Sequence, residues 1–167
     1  MRHASALTLC LLCAGLSGQA IALSSDRNQP MYIEADRADI DEQRGVSVYR
    51  GNVKITQGTL QLTAAELTVH SKDGDIVKAI AVGQPATYRQ RPDGKEQDIE
   101  AEALRMEYFA AEEKIILIDK AEVRQGGDTF RSDKINYDIA KDVVNAGAGS
   151  PGDRVRITIQ PKAKPAP

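Results

Sequence analysis

Beyond residue 30 the apolar positions of this chain recur at every second residue. Val46-Ser47-Val48, Val53-Lys54-Ile55, Leu60-Gln61-Leu62, Leu67-Thr68-Val69 and Val155-Arg156-Ile157-Thr158-Ile159 all alternate. A period of two predicts strands with one buried and one wet face. Turn chemistry separates them at Gln43-Arg44-Gly45, Lys72-Asp73-Gly74, Pro92-Asp93-Gly94 and Gln125-Gly126-Gly127. Gly147-Ala148-Gly149-Ser150-Pro151-Gly152 reads as a loop before one last strand, and Pro161 to Pro167 as a disordered tail. One segment departs from the pattern. Glu100 to Lys114 is rich in helix formers, with Leu104, Tyr108 and Ala111 at helical spacing, and taken alone it predicts a helix.

An internal repeat argues against that helix. Four segments share the form apolar, any, Ala or Ser, usually an acid, any, apolar, any, apolar. They start at Ile33, Leu62, Ile99 and Phe130, at separations of 29, 37 and 31 residues. The second copy has Ala65 where the others place Asp36, Glu102 and Asp133. A longer echo maps Gly51–Val69 onto Asp119–Tyr137 at a constant offset of 68 residues. Short strands repeating about every 30 residues suggest stacked β-layers, each of which needs its neighbour to bury its apolar face. The apolar parity flips at the Ala/Ser–acid pair, from Ile33 and Ala35 to Ala38 and Ile40 in the first copy. A bulge or sharp bend is expected there. The acid's carboxylate would either bond nearby backbone N–H groups or simply face solvent.

The first 22 residues belong to a different category. Arg2 and His3 precede an uncharged run of 13 residues, Ala4 to Leu16, and Ala20-Ile21-Ala22 fits a small-x-small cleavage site. This predicts a signal peptide at 1–22 in preference to an uncleaved interfacial anchor. The run is shorter than the roughly 20 apolar residues of a spanning helix. Leu9 and Leu12 are too large to precede a lipid-attached Cys10 or Cys13. The expected layout is a signal peptide at 1–22, one β-domain at 23–160 and a tail at 161–167. Both cysteines fall within the leader, leaving the rest without a disulfide or thiolate site. No second run of spanning length follows, so a soluble mature protein is expected.

Composition then narrows the chemistry. The 167 residues are 41% hydrophobic and 28% charged, which permits a packed core. Beyond residue 22 the chain has 21 basic and 24 acidic residues, a net charge of −3, with five Tyr, two Phe and no Trp. That balance argues against nucleic acid as a partner. His70 is the one histidine beyond the leader. Its neighbour Ser71 would point to the opposite face of a strand, so the two make a poor catalytic pair. No Gly-x-Ser-x-Gly elbow or phosphate loop occurs. Asp36, Asp39, Asp41 and Glu42 lack the spacing of a calcium loop and read as a wet face rather than a glycosidase pair. The expectation is a protein that is not an enzyme and has no cofactor or metal.

Small aliphatic side chains on two facing sheets would enclose a smooth apolar interior. A repeated stack also exposes unpaired strand edges at both ends, which invite addition of another strand. Head-to-tail contacts of that kind do not close and so build filaments. An exported stack with an apolar interior and open ends suggests a conduit for something greasy. The competing reading is a structural or adhesive β-module with a closed core.

Four blocks carry a family likeness. Ile33-Glu34-Ala35-Asp36, Tyr49-Arg50-Gly51-Asn52-Val53, Ile55-Thr56-Gln57-Gly58 and Gly83-Gln84-Pro85-Ala86-Thr87-Tyr88 resemble the LptA family of periplasmic lipopolysaccharide-transport proteins, the organic-solvent-tolerance A-like domains. The likeness covers roughly residues 28 to 160. It implies an all-β fold, an open and slightly twisted antiparallel β-jellyroll of about sixteen strands. It implies strand–turn–strand over Glu100–Lys114. It implies a periplasmic bridge that passes lipopolysaccharide from an inner-membrane complex, whose jellyroll would meet the N-terminal end, to an outer-membrane barrel, whose jellyroll would meet the C-terminal end. Head-to-tail self-association and acyl chains carried inside are part of the same implication, with power from an ATPase elsewhere.

The physical demand fits that role. Each exposed methylene costs about 0.8 kcal/mol in water, so a lipid with several acyl chains faces a barrier of tens of kcal/mol unaided. Candidate lining residues for such a groove are Met31, Ile33, Val53, Ile55, Leu62, Leu67, Tyr88, Met106, Ile116, Ile118, Val123, Phe130 and Ile135.

Overall fold

A computed structural model describes residues 25–147 and 154–161. The expected signal peptide, positions 148–152 of the expected loop and positions 162–167 of the expected tail lie outside the described residues. A 3-10 turn, Ser25–Asn28, precedes ten strands. These are β1 (Met31–Glu34), β2 (Arg37–Asp41), β3 (Val46–Gln57), β4 (Leu60–Lys72), β5 (Asp75–Gln90), β6 (Ile99–Phe109), β7 (Lys114–Gln125), β8 (Asp128–Asp138), β9 (Val143–Ala146) and β10 (Arg156–Thr158). Every pairing is antiparallel, and β3 to β8 follow one another in chain order as a meander. The four short strands cover the two edges. β1 and β2 share the free side of β3, and β9 and β10 share the free side of β8.

The strand–turn–strand reading of Glu100–Lys114 holds against the helix-forming composition of the segment. Those residues form most of β6, a turn and the first residue of β7. Helix propensity lost because Ile99, Ala101 and Ala103 gain full burial as alternate residues of a strand. The four sequence-predicted turns all fall between strands.

A line of irregular pairing crosses the middle of the sheet. Gly51 and Asn52 of β3 stand against Ala65 alone, since Arg50 pairs Glu66 and Val53 pairs Ala64. Asp119 and Lys120 of β7 likewise stand against Asp133, between the pairs Ile118–Lys134 and Ala121–Ser132. The offset echo of the sequence is therefore an echo of bulges. Gly83 to Pro85 of β5, with a cis bond at Gln84–Pro85, face Leu104 of β6. In the first repeat the chain leaves the ladder at Ala35-Asp36, between β1 and β2. Parity flips as expected in β4, where Leu62 and Ala64 give way to Leu67 and Val69, and in β8, where Ser132 gives way to Ile135 and Tyr137. In the third copy the break falls at Leu104, two residues beyond the expected Glu102.

This line bends the sheet into two leaves. The first leaf holds β1, β10 and the half-strands from Val53, to Thr63, from Ala86, to Glu102, from Ala121 and to Ser132. The second holds β2, β9 and the complementary halves. Because six strands run unbroken from leaf to leaf, the described residues form ten strands and not the expected sixteen. The leaves fold over a shared core in which Leu67, Ala86, Ala103, Leu117 and Ile135 are fully buried. Burying a large aliphatic side chain contributes about 1.5–3 kcal/mol. The outer faces carry cross-strand ion pairs such as Arg50–Asp39, Arg50–Glu66 and Arg131–Glu122.

A candidate lipid-binding groove

The leaves pack tightly toward the β7–β8 side, where Val123 and Ile135 are 1% and 0% exposed. Toward β1 they part around an apolar cavity of about 150 Å³. The first leaf contributes Met31, Ile33, Ile55, Leu60, Leu62 and Tyr88, and the second Leu67, Val69, Ile76, Ala79, Ala81, Met106, Tyr108 and Ile115. These side chains meet because the bend turns alternate residues of both leaves toward one another. Met31 at the edge is 39% exposed, whereas Leu67 at the floor is fully buried, so the cavity runs from a wet mouth to a dry end.

Seven candidates from the sequence come together here: Met31, Ile33, Ile55, Leu62, Leu67, Tyr88 and Met106. Four others, Val53, Val123, Phe130 and Ile135, pack in the continuous core beside it. Ile116 and Ile118 require correction. On β7 they alternate with Ile115 and Leu117, which are the buried pair, so they face away from the core. Choosing apolar residues without fixing the phase of β7 produced that error. Leu60, Val69 and Ile115 were missed although the alternation could have found them. Asp26, Arg27 and Gln90, which also line the cavity, follow no apolar period and left no such signal.

Polar groups organise the mouth. Asp26 is 4% exposed. Its carboxylate accepts hydrogen bonds from the Thr59 N–H (2.7 Å), the Thr59 hydroxyl (2.6 Å) and Gln90 Nε2 (2.8 Å). Burial alone would raise this carboxyl, but the Thr59 and Gln90 donors outweigh it and hold Asp26 below its ordinary value. The Tyr88 hydroxyl donates in turn to Gln90 Oε1, and burial pushes its ionisation far upward, so the phenol stays neutral. These bonds seat the 3-10 turn on the first leaf. From it Arg27 reaches the second leaf, with Nη1 2.6 Å from Glu113 Oε1 and Nη2 donating to Tyr108 Oη at 3.4 Å. Farther along the same lip, Asp142 of the second leaf meets Lys95 Nζ at 3.2 Å and accepts from Gln125 Nε2 at 3.2 Å, the first from the β5–β6 loop and the second from the end of β7, both in the first leaf. Burial again works upward on Asp142, and Lys95 and Gln125 again outweigh it.

His70 lies half-buried near the end of β4, at a register shift before Ser71. Among the described residues no cluster of three or more His, Cys, Asp or Glu is placed to hold a metal ion.

The comparisons with known proteins agree with this geometry. A family model described as LptA/(LptD N-terminal domain) LPS transport protein matches residues 32–143. The chain is 43% identical over 155 residues to the lipopolysaccharide export system protein LptH of Pseudomonas aeruginosa, covering 89% of each chain. It is 31% identical over 144 residues to the lipopolysaccharide export system protein LptA of Escherichia coli K12, covering 85% of this chain and 77% of the other. The crystal structure of Pseudomonas aeruginosa LptH, the periplasmic component homologous to LptA, superposes with a TM-score of 0.75. That match is at 40% identity over 82% of this chain and 99% of the other.

Proposed function

This chain belongs to the LptA/(LptD N-terminal domain) family of LPS transport proteins, and we propose that it carries lipopolysaccharide through the periplasm with the acyl chains held between its two leaves. The observation that carries this reading is the apolar cavity opening at the β1 edge, lined from both leaves by alternate residues of bent strands. Inward of the polar mouth its lining is aliphatic with two tyrosines, so successive positions offer a sliding chain similar contacts. No one contact is strong enough to trap it. The residues assigned to acyl chains are Met31, Ile33, Ile55, Leu62, Leu67, Tyr88 and Met106. The family is one of transport proteins rather than enzymes, and nothing in this role calls on the chain to make or break a covalent bond.

In the same reading the two leaves form an open jellyroll that is one segment of a longer bridge. The N-terminal edge would meet a related jellyroll of the inner-membrane complex, and the C-terminal edge one of the outer-membrane barrel or a second copy. Both edges are short strands with exposed apolar side chains, Tyr32 and Ile40 on one and Ile157, followed just beyond the strand by Ile159, on the other. Edge strands of that kind are suited to augmentation.

The test is binding of purified lipopolysaccharide, read by displacement of a fluorescent fatty acid from the groove. Saturable displacement with one acyl-chain site per chain is expected. Absence of uptake of either lipid would replace the conduit with a closed β-module.

A further inference from the structure

The cavity described above is about the size that admits a benzene ring. A fatty tail needs more, so on the transport reading the leaves must part to load. Opposite the bend, the contacts described between the lips are Arg27 with Glu113 and Tyr108, and Asp142 with Lys95 and Gln125. These four ionic side chains line a second cavity of about 190 Å³ together with Asp93, whose carboxylate is engaged by Ser25. This second cavity shares Arg27, Tyr88, Gln90 and Ile139 with the apolar one. An amphiphile whose tails fill the first therefore places its head at the second.

We propose that Arg27 and Lys95 form a binding site for the phosphate groups on the lipid head, exchanging Glu113 and Asp142 for phosphate as the cargo enters. Three features support this. Both cations stand on the first lip, and both of their carboxylates stand on the second. Phosphate therefore competes for the same charge-assisted bonds that hold the lips together. Arg27 and Lys95 are 36% and 51% exposed in their side chains, and partly exposed ion pairs are weak, so a doubly charged oxyanion can displace them. The site thus couples recognition of a phosphorylated head to release of the latch that excludes the tails. Tyr108 and Gln125 lose partners in the exchange that water replaces.

This proposal rests on the transport reading, and its test separates the two. Binding of bis-phosphorylated lipid A, of the same lipid with its phosphates removed, and of inorganic pyrophosphate is measured on the wild type, Arg27→Gln, Lys95→Gln and the double variant. The two single losses should weaken the phosphorylated lipid several-fold each and the double variant at least tenfold. The dephosphorylated lipid should shift by less than twofold, and pyrophosphate alone should not bind at millimolar concentration. Glu113→Gln with Asp142→Asn should tighten the phosphorylated lipid. Lys95 sits on an exposed loop, so Lys95→Gln remains informative should Arg27→Gln fold poorly. Unchanged binding of the phosphorylated lipid in the double variant overturns the head site and leaves the conduit intact. Equal losses for both lipids reduce the cations to a structural role and overturn it too. Pyrophosphate bound as tightly as the lipid overturns the assignment to a lipid head. Failure of both lipids to bind the wild type overturns the conduit itself.

Discussion

Asp36 accepts a hydrogen bond from Asn52 across the line where the sheet bends, Oδ2 to Nδ2 at 2.9 Å. The Asp36 N–H also donates to the Gly51 carbonyl at 2.9 Å. Of the two roles open to the repeated acid, Asp36 therefore takes a bonding one, but its partner is a side-chain amide and not a backbone N–H. The pair ties the break between β1 and β2 to the bulge in β3. Gly51 has φ +76°, and a Cβ there would lie 2.2 Å from Asp36 Oδ2. Gly51→Ala should destabilise the fold by more than about 1 kcal/mol, through the positive φ and the clash together. Urea unfolding should show a lower midpoint at unchanged m. Asp36→Ala combined with it should remove the carboxylate part of the clash and leave the Cβ–Cβ approach of 2.9 Å and the backbone strain.

The phase of β7 can be checked with neighbours. Leu117 is fully buried and Ile116, one residue away, faces outward. Leu117→Ala should cost about 2–5 kcal/mol, as a large-to-small core change does. Ile116→Ala should cost under about 1 kcal/mol. Equal costs in urea titration would mean that β7 is paired in a different register.

Much of this fold was legible in the residues. Alternation located β3, β4 and β10, and turn residues located four of the reversals. The repeat located the bend in β4, at Ala64-Ala65, and in β8, at Ser132-Asp133. What stayed hidden was relational. The helix-forming composition of β6 conceals its burial pattern, because Glu and Ala are compatible with a strand when the neighbours supply the packing. The mouth was hidden for a different reason. Asp26 gains its role from Thr59 and Gln90, which are 33 and 64 residues away. No local period encodes such a meeting. Ile116 and Ile118 show the converse, apolar residues whose face only the ladder decides.

Acid should loosen the mouth. Asp26 and Asp142 have carboxyls held below their ordinary values in the folded state. Groups so depressed contribute stability that is present above the unfolded pKa, about 3.9, and lost as pH falls through the folded one. Thermal stability should therefore be level near neutrality and decline below about pH 4. Asp26→Asn should lower stability at pH 7 and flatten that decline. Melting temperatures across pH 2 to 7 would show it. An equally steep decline in the variant would place the acid sensitivity elsewhere.

Filling the cavity should block uptake without unfolding the chain. Ala79 is half-buried and lines the cavity on the second leaf. Ala79→Phe extends a ring into that space, and overpacking of this kind costs about 1–3 kcal/mol. A folded variant that binds fatty acid at least tenfold more weakly is the expected result, read by fluorescence displacement beside a melting curve.

The decisive measurement is site-specific photocrosslinking in cells that make lipopolysaccharide. A photoreactive residue at Ile33 or Leu62, both on the cavity wall, should yield a lipopolysaccharide adduct, and one at Lys54, exposed on β3, should not. Adducts at Lys54 with none at Ile33 or Leu62 would contradict passage of the lipid between the leaves.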